Sequence, residues 1–207
     1  MTVMSRPKTM TDAAVVEAAS RVITRLGPSQ FTLADVAREA GLAPATLIQR
    51  FGSKRGLLLA LARMAAEGAD GCFAKVRAEN ASPLKALFAS FAEMARLAET
   101  PEALANNLAF LQIDLTDPEF RRWTLVNSRA TLAGFRALLE DAIQAGELEP
   151  CDTKGLARLI QAAAHGSMVS WAFHQEGRVA EWMRRDMEVL LAPYRAPKKG
   201  KQRSRQR

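Results

Sequence analysis

FTLADVAREAGLAPATLIQRFGSKRGLLL, residues 31–59, is the stretch on which the fold turns. Thr32 stands where it can cap a short helix, and Asp35 can answer it from three residues on, as a weaker form of the capping box. Val36 and Ala37 give that helix a small apolar face. Gly41 then allows a sharp turn, because a left-handed backbone costs glycine little. Pro44 follows at the first position of a second helix, where its missing N–H does no harm. On that helix Leu47 and Phe51 are four apart and point inward as anchors, while the small Ala43 and Ala45 permit close approach to another surface. Ala45, Thr46, Gln49 and Arg50 are left facing outward.

Two short helices joined by a tight turn, the second exposing small and hydrogen-bonding side chains, describe a helix-turn-helix reader of the major groove. Gln can pair with adenine and Arg with guanine, and the methyls of Thr and Ala can touch that of thymine. Ser53 caps the long helix that follows, and Lys54 and Arg55 set two cations beside its start. Cations there oppose the helix dipole, so phosphates lying in front of them explain the position better. The competing reading is an ordinary helical pair whose charges are merely solvated.

Outward from this segment the spacing stays helical and no run alternates like a strand. Val15, Ala19, Val22 and Leu26 share one face of a first helix that Gly27 ends. Leu84, Leu87, Phe88, Phe91, Ala95 and Ala98 repeat the pattern, as do Leu104, Leu108, Leu111 and Leu115. Ser82-Pro83, Thr100-Pro101 and Asp117-Pro118 each put a capping residue before a proline at the first helical position. About nine helices are expected, over 11–26, 33–40, 44–51, 54–79, 83–98, 101–115, 118–145, 153–175 and 179–192, in an all-α protein. The expected organisation is a flexible N-terminal arm (1–10), a three-helix DNA-binding domain (11–56), a helical ligand-binding and dimerisation domain (57–194) and a basic disordered tail (195–207).

Length and charge agree with this. The chain has 207 residues, 48% of them hydrophobic, which is enough for a core, and a net charge of +7. Residues 1–56 carry +4, residues 57–192 carry −4 and residues 193–207 carry +7. The basic character therefore sits at the ends, as a nucleic-acid-facing end would have it. No apolar stretch suits a membrane span or a secretory signal, so a soluble, cytoplasmic protein is expected. Cys72 and Cys151 form neither a disulfide framework nor a metal knuckle. His165 and His174 are nine apart, too far to share a metal directly, and no nucleophile–base pair or phosphate loop appears. Catalysis, metals and cofactors are accordingly not expected.

Residues 11–62 resemble the N-terminal domain of TetR-family transcriptional regulators. The likeness runs through Gly27, Phe31-Thr32, Asp35-Val36-Ala37, Ala40-Gly41-Leu42, Thr46-Leu47 and Phe51-Gly52-Ser53-Lys54 followed by Leu57-Leu58. It implies a homodimer that binds palindromic operator DNA, most commonly as a repressor, and releases it when a small-molecule effector binds the second domain. It places Thr32 and Lys54 on phosphates, and Pro44, Ala45, Thr46, Gln49 and Arg50 in the major groove. The family usually carries a tyrosine that reaches the DNA backbone where this chain has Ile48; Arg50 or Arg55 could replace that contact. An alternative is a helical ligand-binding or adaptor protein that has lost DNA reading, and Ile48 is its one support.

Phe91, Phe110, Trp123, Asn127, Met168 and Trp171 are the candidate lining of a largely hydrophobic effector pocket, apolar with a few polar groups. Trp123 and Asn127, four apart, are its best pair. The last two helices are expected to form the dimer. Ala162, Gly166 and Ser170 allow close helix approach. Val179, Met183, Met187, Leu190 and Tyr194 make one apolar side of the final helix, and Trp182 and Val189 a second.

Overall fold

The computed structural model describes residues 10–197. Among these it holds nine α-helices, two short 3₁₀ turns and no strand. The helices are α1 (Asp12–Gln30), α2 (Leu33–Ala40), α3 (Pro44–Phe51), α4 (Lys54–Glu79), α5 (Pro83–Ala95), α6 (Pro101–Thr116), α7 (Pro118–Gln144), α8 (Thr153–His174) and α9 (Val179–Leu191). Five of the caps that set these bounds are the ones read from the sequence, and Thr11 and Asp152 join them. Thr11, Thr32, Ser53, Ser82, Thr100, Asp117 and Asp152 each accept a backbone N–H from the first turn of the helix they start. Each satisfies a donor that would otherwise have no partner inside the helix.

Two clusters of buried side chains organise the bundle. The first joins Val15, Val16, Val22 and Ile23 of α1 to Val36, Leu47, Leu57 and Leu58, and it includes Phe31. The second joins α5, α7, α8 and α9 around Leu87, Phe91, Phe135, Ile160 and Met183. Helices α4 and α7 run side by side in the same direction. Arg55 meets Asp117 at their starts, Phe73 meets Phe135 edge-on at 5.3 Å, and Arg77 meets Asp141 near their ends. The start of α7 therefore lies level with the start of α4, and Phe120, 1% exposed, packs into the first cluster.

Several expectations need correction. Gly27 does break α1, with φ +80° and ψ +160°, yet the element resumes through Pro28 to Gln30, and Leu26 is exposed beside the break. Of the α6 leucines only Leu104 is buried; Leu108, Leu111 and Leu115 face solvent, Leu115 at 66% exposure. The reason is that α6 turns its other side, with Asn106, Phe110 and Ile113, toward α1 and the first cluster. On α9 the buried stripe is Val179, Met183, Met187 and Leu191, so the stripe runs on by fours and Leu190 is half-buried. Arg195 and Ala196 are tied to the turn after α7, through a bridge to Leu148 and an N–H donated to the carbonyl of Glu147. Order thus continues beyond residue 194, and the remainder of the expected tail, from 198 on, falls outside the described residues, as does most of the N-terminal arm.

Candidate nucleic-acid interface

Thr32 and Asp35 form a complete capping box. The Asp35 N–H donates to Thr32 Oγ1 at 3.2 Å, and the Thr32 N–H donates to Asp35 Oδ2 at 2.9 Å. The Thr32 hydroxyl adds a bond to the same carboxylate at 2.7 Å. These bonds from Thr32, first among the causes, hold the Asp35 carboxyl below the usual carboxylate range. Gly41 turns left-handed at φ +65° and closes α2, and Pro44 opens α3. Leu47 is fully buried, fixing α3 on the first cluster. Glu39 reaches back to Arg21 and Arg25 of α1, at 2.9 and 3.4 Å, and ties α2 to α1.

On α3 the side chains of Pro44, Ala45, Ile48 and Gln49 are exposed, whereas Thr46 and Arg50 are half-buried on the flank. Arg50 is drawn to the start of α1, where its Nε donates to Asp12 Oδ1 at 2.6 Å and its Nη2 pairs with the same oxygen. Lys54 is likewise engaged. Its ammonium donates to the carbonyls of Ser29, at 2.8 Å, and Phe31, at 2.7 Å, and lies 4.4 Å from the centre of the Phe31 ring. Burial pushes the Lys54 pKa down from its ordinary value. An ammonium has three protons, and these two bonds use two of them. Arg55 does not face outward with Lys54. It forks onto Asp117, at 2.7 Å, and Glu119, at 2.9 Å, at the start of α7, with its guanidinium 5.5 Å from the Phe120 ring.

The structure thus brings Thr32, Pro44, Ala45, Thr46, Gln49 and Lys54 onto two neighbouring helices and the start of a third, and it turns Arg50 and Arg55 onto carboxylates. Sequence reasoning missed Asp12, Asp117 and Glu119 as the partners of these two arginines, because separations of 38, 62 and 64 residues leave no local signal. It also missed Asn106. The Asn106 side-chain amide donates to the carbonyls of Thr24 and Arg25 at 2.9 and 3.1 Å, so α6 caps the end of α1.

The six candidate effector residues divide. Phe91, Met168 and Trp171 belong to the second cluster, where Phe91 lies 5.7 Å from Phe135 and Trp171 donates its indole N–H to the Gly177 carbonyl. Phe110 packs instead against the first cluster, and Trp123 and Asn127 are half-buried on α7. Trp171 lines a cleft of about 450 Å³ with Ala92, Ala95 and Val179. A larger cleft of about 1210 Å³, beside Phe88, Leu148 and Arg195, contains none of the six. At the other candidate interface, Ala162, Gly166 and Ser170 of α8 are exposed together with Leu159 and Phe173, the last at 82%, and Val189 is exposed on α9. Trp182 is half-buried and stacks on His174, one turn beyond Ser170, at 5.2 Å. Among the described residues no helix is long and apolar enough to cross a membrane, and no group of three potential metal ligands is found.

Comparison with known proteins adds three findings. Residues 15–61 match the family model described as bacterial regulatory proteins, tetR family. The HTH-type transcriptional regulator BetI of Rhizobium meliloti is 34% identical over 131 residues, a match that covers 60% of this chain and 64% of that protein. The chain therefore spans somewhat less than two thirds of its curated relative. Two solved structures share the fold. A TetR transcription regulator from Haloarcula marismortui superposes with a TM-score of 0.73 at 16% identity, over 89% of this chain and 97% of the other. The transcriptional regulator FadR from Bacillus subtilis, solved with stearoyl-CoA, gives 0.67 at 20% identity, over 86% and 96%.

Proposed function

We propose that the chain, whose residues 15–61 match the family model of tetR bacterial regulatory proteins, is a ligand-responsive transcriptional regulator of that family, acting as a repressor. The observation that carries the reading is the α2–Gly41–α3 unit. A complete capping box and a buried Leu47 hold α3 rigidly while its Ala45 and Gln49 stay exposed. A recognition helix in the major groove needs such a presentation. Thr32 and the remaining proton of Lys54 are proposed to meet phosphates on either side of it, at residues 11–56.

The second copy needed for a palindromic operator is proposed to pack on α8 and α9. The small residues Ala162, Gly166 and Ser170, flanked by Leu159 and Phe173, give that face both close approach and apolar area. A small, largely hydrophobic effector is proposed to enter residues 57–194 near Phe91, Trp123, Asn127, Met168 and Trp171. The stearoyl-CoA bound by the Bacillus subtilis neighbour supports an apolar ligand for this architecture.

Selection from a random duplex library at near-physiological salt, followed by affinity measurement against scrambled DNA, tests the reading. An enriched palindrome bound far more tightly than the scramble is expected. Weak binding that is equal for all sequences and disappears with added salt would overturn it in favour of a helical ligand-binding protein without sequence reading.

A further inference from the structure

The exposed side of α3 has an unusual chemistry for a reading surface. Ala45, Ile48 and Gln49 fall within roughly a third of the helix circumference, with Pro44 beside them, and all four are exposed. Three are apolar and Gln49 is uncharged. Ile48 is 54% exposed, more than any other large apolar residue described before Leu115. Its β-branched side chain is stiff, so it stands as a fixed apolar knob.

Among the described residues, the cations of α3 and of the start of α4 are engaged elsewhere. Guanine is read in the major groove by Arg or Lys through O6 and N7. Arg50 is held by Asp12, Lys54 by the carbonyls of Ser29 and Phe31, and Arg55 by Asp117 and Glu119. An adenine edge and a thymine methyl require no cation: a side-chain amide pairs with N7 and N6, and apolar groups pack on the methyl.

Given that α3 enters the major groove, as the proposed function requires, we infer that it reads an A·T-centred half-site. Gln49 takes one adenine in a bidentate pair, and Ile48 with Ala45 packs on the 5-methyl groups of adjacent thymines. Ile48 thereby becomes a specificity-determining residue, in place of the backbone contact that a tyrosine would make there.

The test uses the full chain and the duplex enriched from the random library. The half-site centre should be A·T, and replacing its thymines by deoxyuridine should weaken binding about fourfold per contacted methyl, the worth of one buried methylene-sized group. Ile48→Ala, an exposed change whose fold is checked by thermal melting, should lose the share of the thymine-over-deoxyuridine preference that Ile48 supplies and keep only that of the methyl against Ala45. Two results would overturn the inference while leaving DNA reading intact: a central guanine whose 7-deaza analogue abolishes preference, or a deoxyuridine duplex bound as tightly as the thymine one. Failure to enrich any duplex would overturn both together.

Discussion

Arg55 Nη2 lies 2.7 Å from Asp117 Oδ2, joining the second residue of α4 to the cap of α7. The same carboxylate group accepts the N–H of Glu119 at 2.9 Å, so one side chain both starts α7 and holds the reading half of the molecule against it. Arg55 is about half exposed, which limits what the pair contributes. A double-mutant cycle of Arg55→Ala and Asp117→Ala is expected to give a small favourable coupling in chemical denaturation, weakened by added salt. Additive effects of the two changes would show the pair to be energetically idle.

The same pair sets a pH dependence. The bond from Arg55, the largest cause, holds the Asp117 carboxyl below its usual value of 3.8. A depressed carboxylate stabilises the fold above its unfolded pKa, and that stability is lost as pH falls through the lowered folded value. Wild type and Asp117→Asn should therefore differ in stability at pH 7 and converge as pH drops below 3.8. A constant gap across that range would mean that the substitution acts through something other than the charge of the carboxylate.

Gly27 of α1 lies against Asn106 of α6. A Cβ added there would stand 2.6 Å from Asn106 Oδ1, and the backbone is at φ +80°. Gly27→Ala is expected to destabilise by about 2–4 kcal/mol, combining backbone strain with disturbed Asn106 bonds. Adding Asn106→Ala should recover the part due to collision and leave the strain. A Tm equal to wild type for Gly27→Ala would contradict the assigned geometry.

Lys54 has an observed structural role and a proposed one on DNA, and one substitution can separate them. Lys54→Met keeps the apolar stem over Phe31 and removes the donors to Ser29 and Phe31. It should cost about 1–2 kcal/mol of stability and reduce the salt slope of DNA binding by about one unit. Lost stability with an unchanged slope would make Lys54 a strap between α4 and the end of α1, and nothing more.

Phe173 is exposed at 82% and contributes little to the isolated fold. Phe173→Glu should leave the helical content and the monomer's stability within about 0.5 kcal/mol and shift the protein to a monomer in sedimentation. Operator affinity should fall with it. A dimer that persists would move the twofold contact to another face, such as the exposed leucines of α6.

What could be read from the sequence was what is decided within a few residues. Thr32 with Asp35, and the three prolines after Ser82, Thr100 and Asp117, mark helix starts by local hydrogen bonding and fixed φ, and the helices begin there. Faces were legible where one element alone determines them, as for Val179 and Met183. They were not legible where a second helix chooses the side. Leu108, Leu111 and Leu115 have a sound apolar period, but Asn106 and Phe110 win the contact with α1. The exposed pattern on α3 could be read at Ala45 and Gln49, but not at Ile48, which is exposed, nor at Thr46 and Arg50, which are half-buried, Arg50 being turned by a carboxylate at the start of α1.

Phe120 carries a consequence for how this molecule can be taken apart. Its ring belongs to α7 in sequence and to the core beneath α3 in space. A fragment ending after α3 or midway along α4 would carry a phenyl-sized void in the first cluster, of the kind that costs several kcal/mol when made by truncation in place. Reading heads exchanged between such proteins at a boundary near residue 56 would meet the same vacancy, or a ring that does not fit. The transplantable unit is discontinuous, and it must bring the first turn of α7 with it.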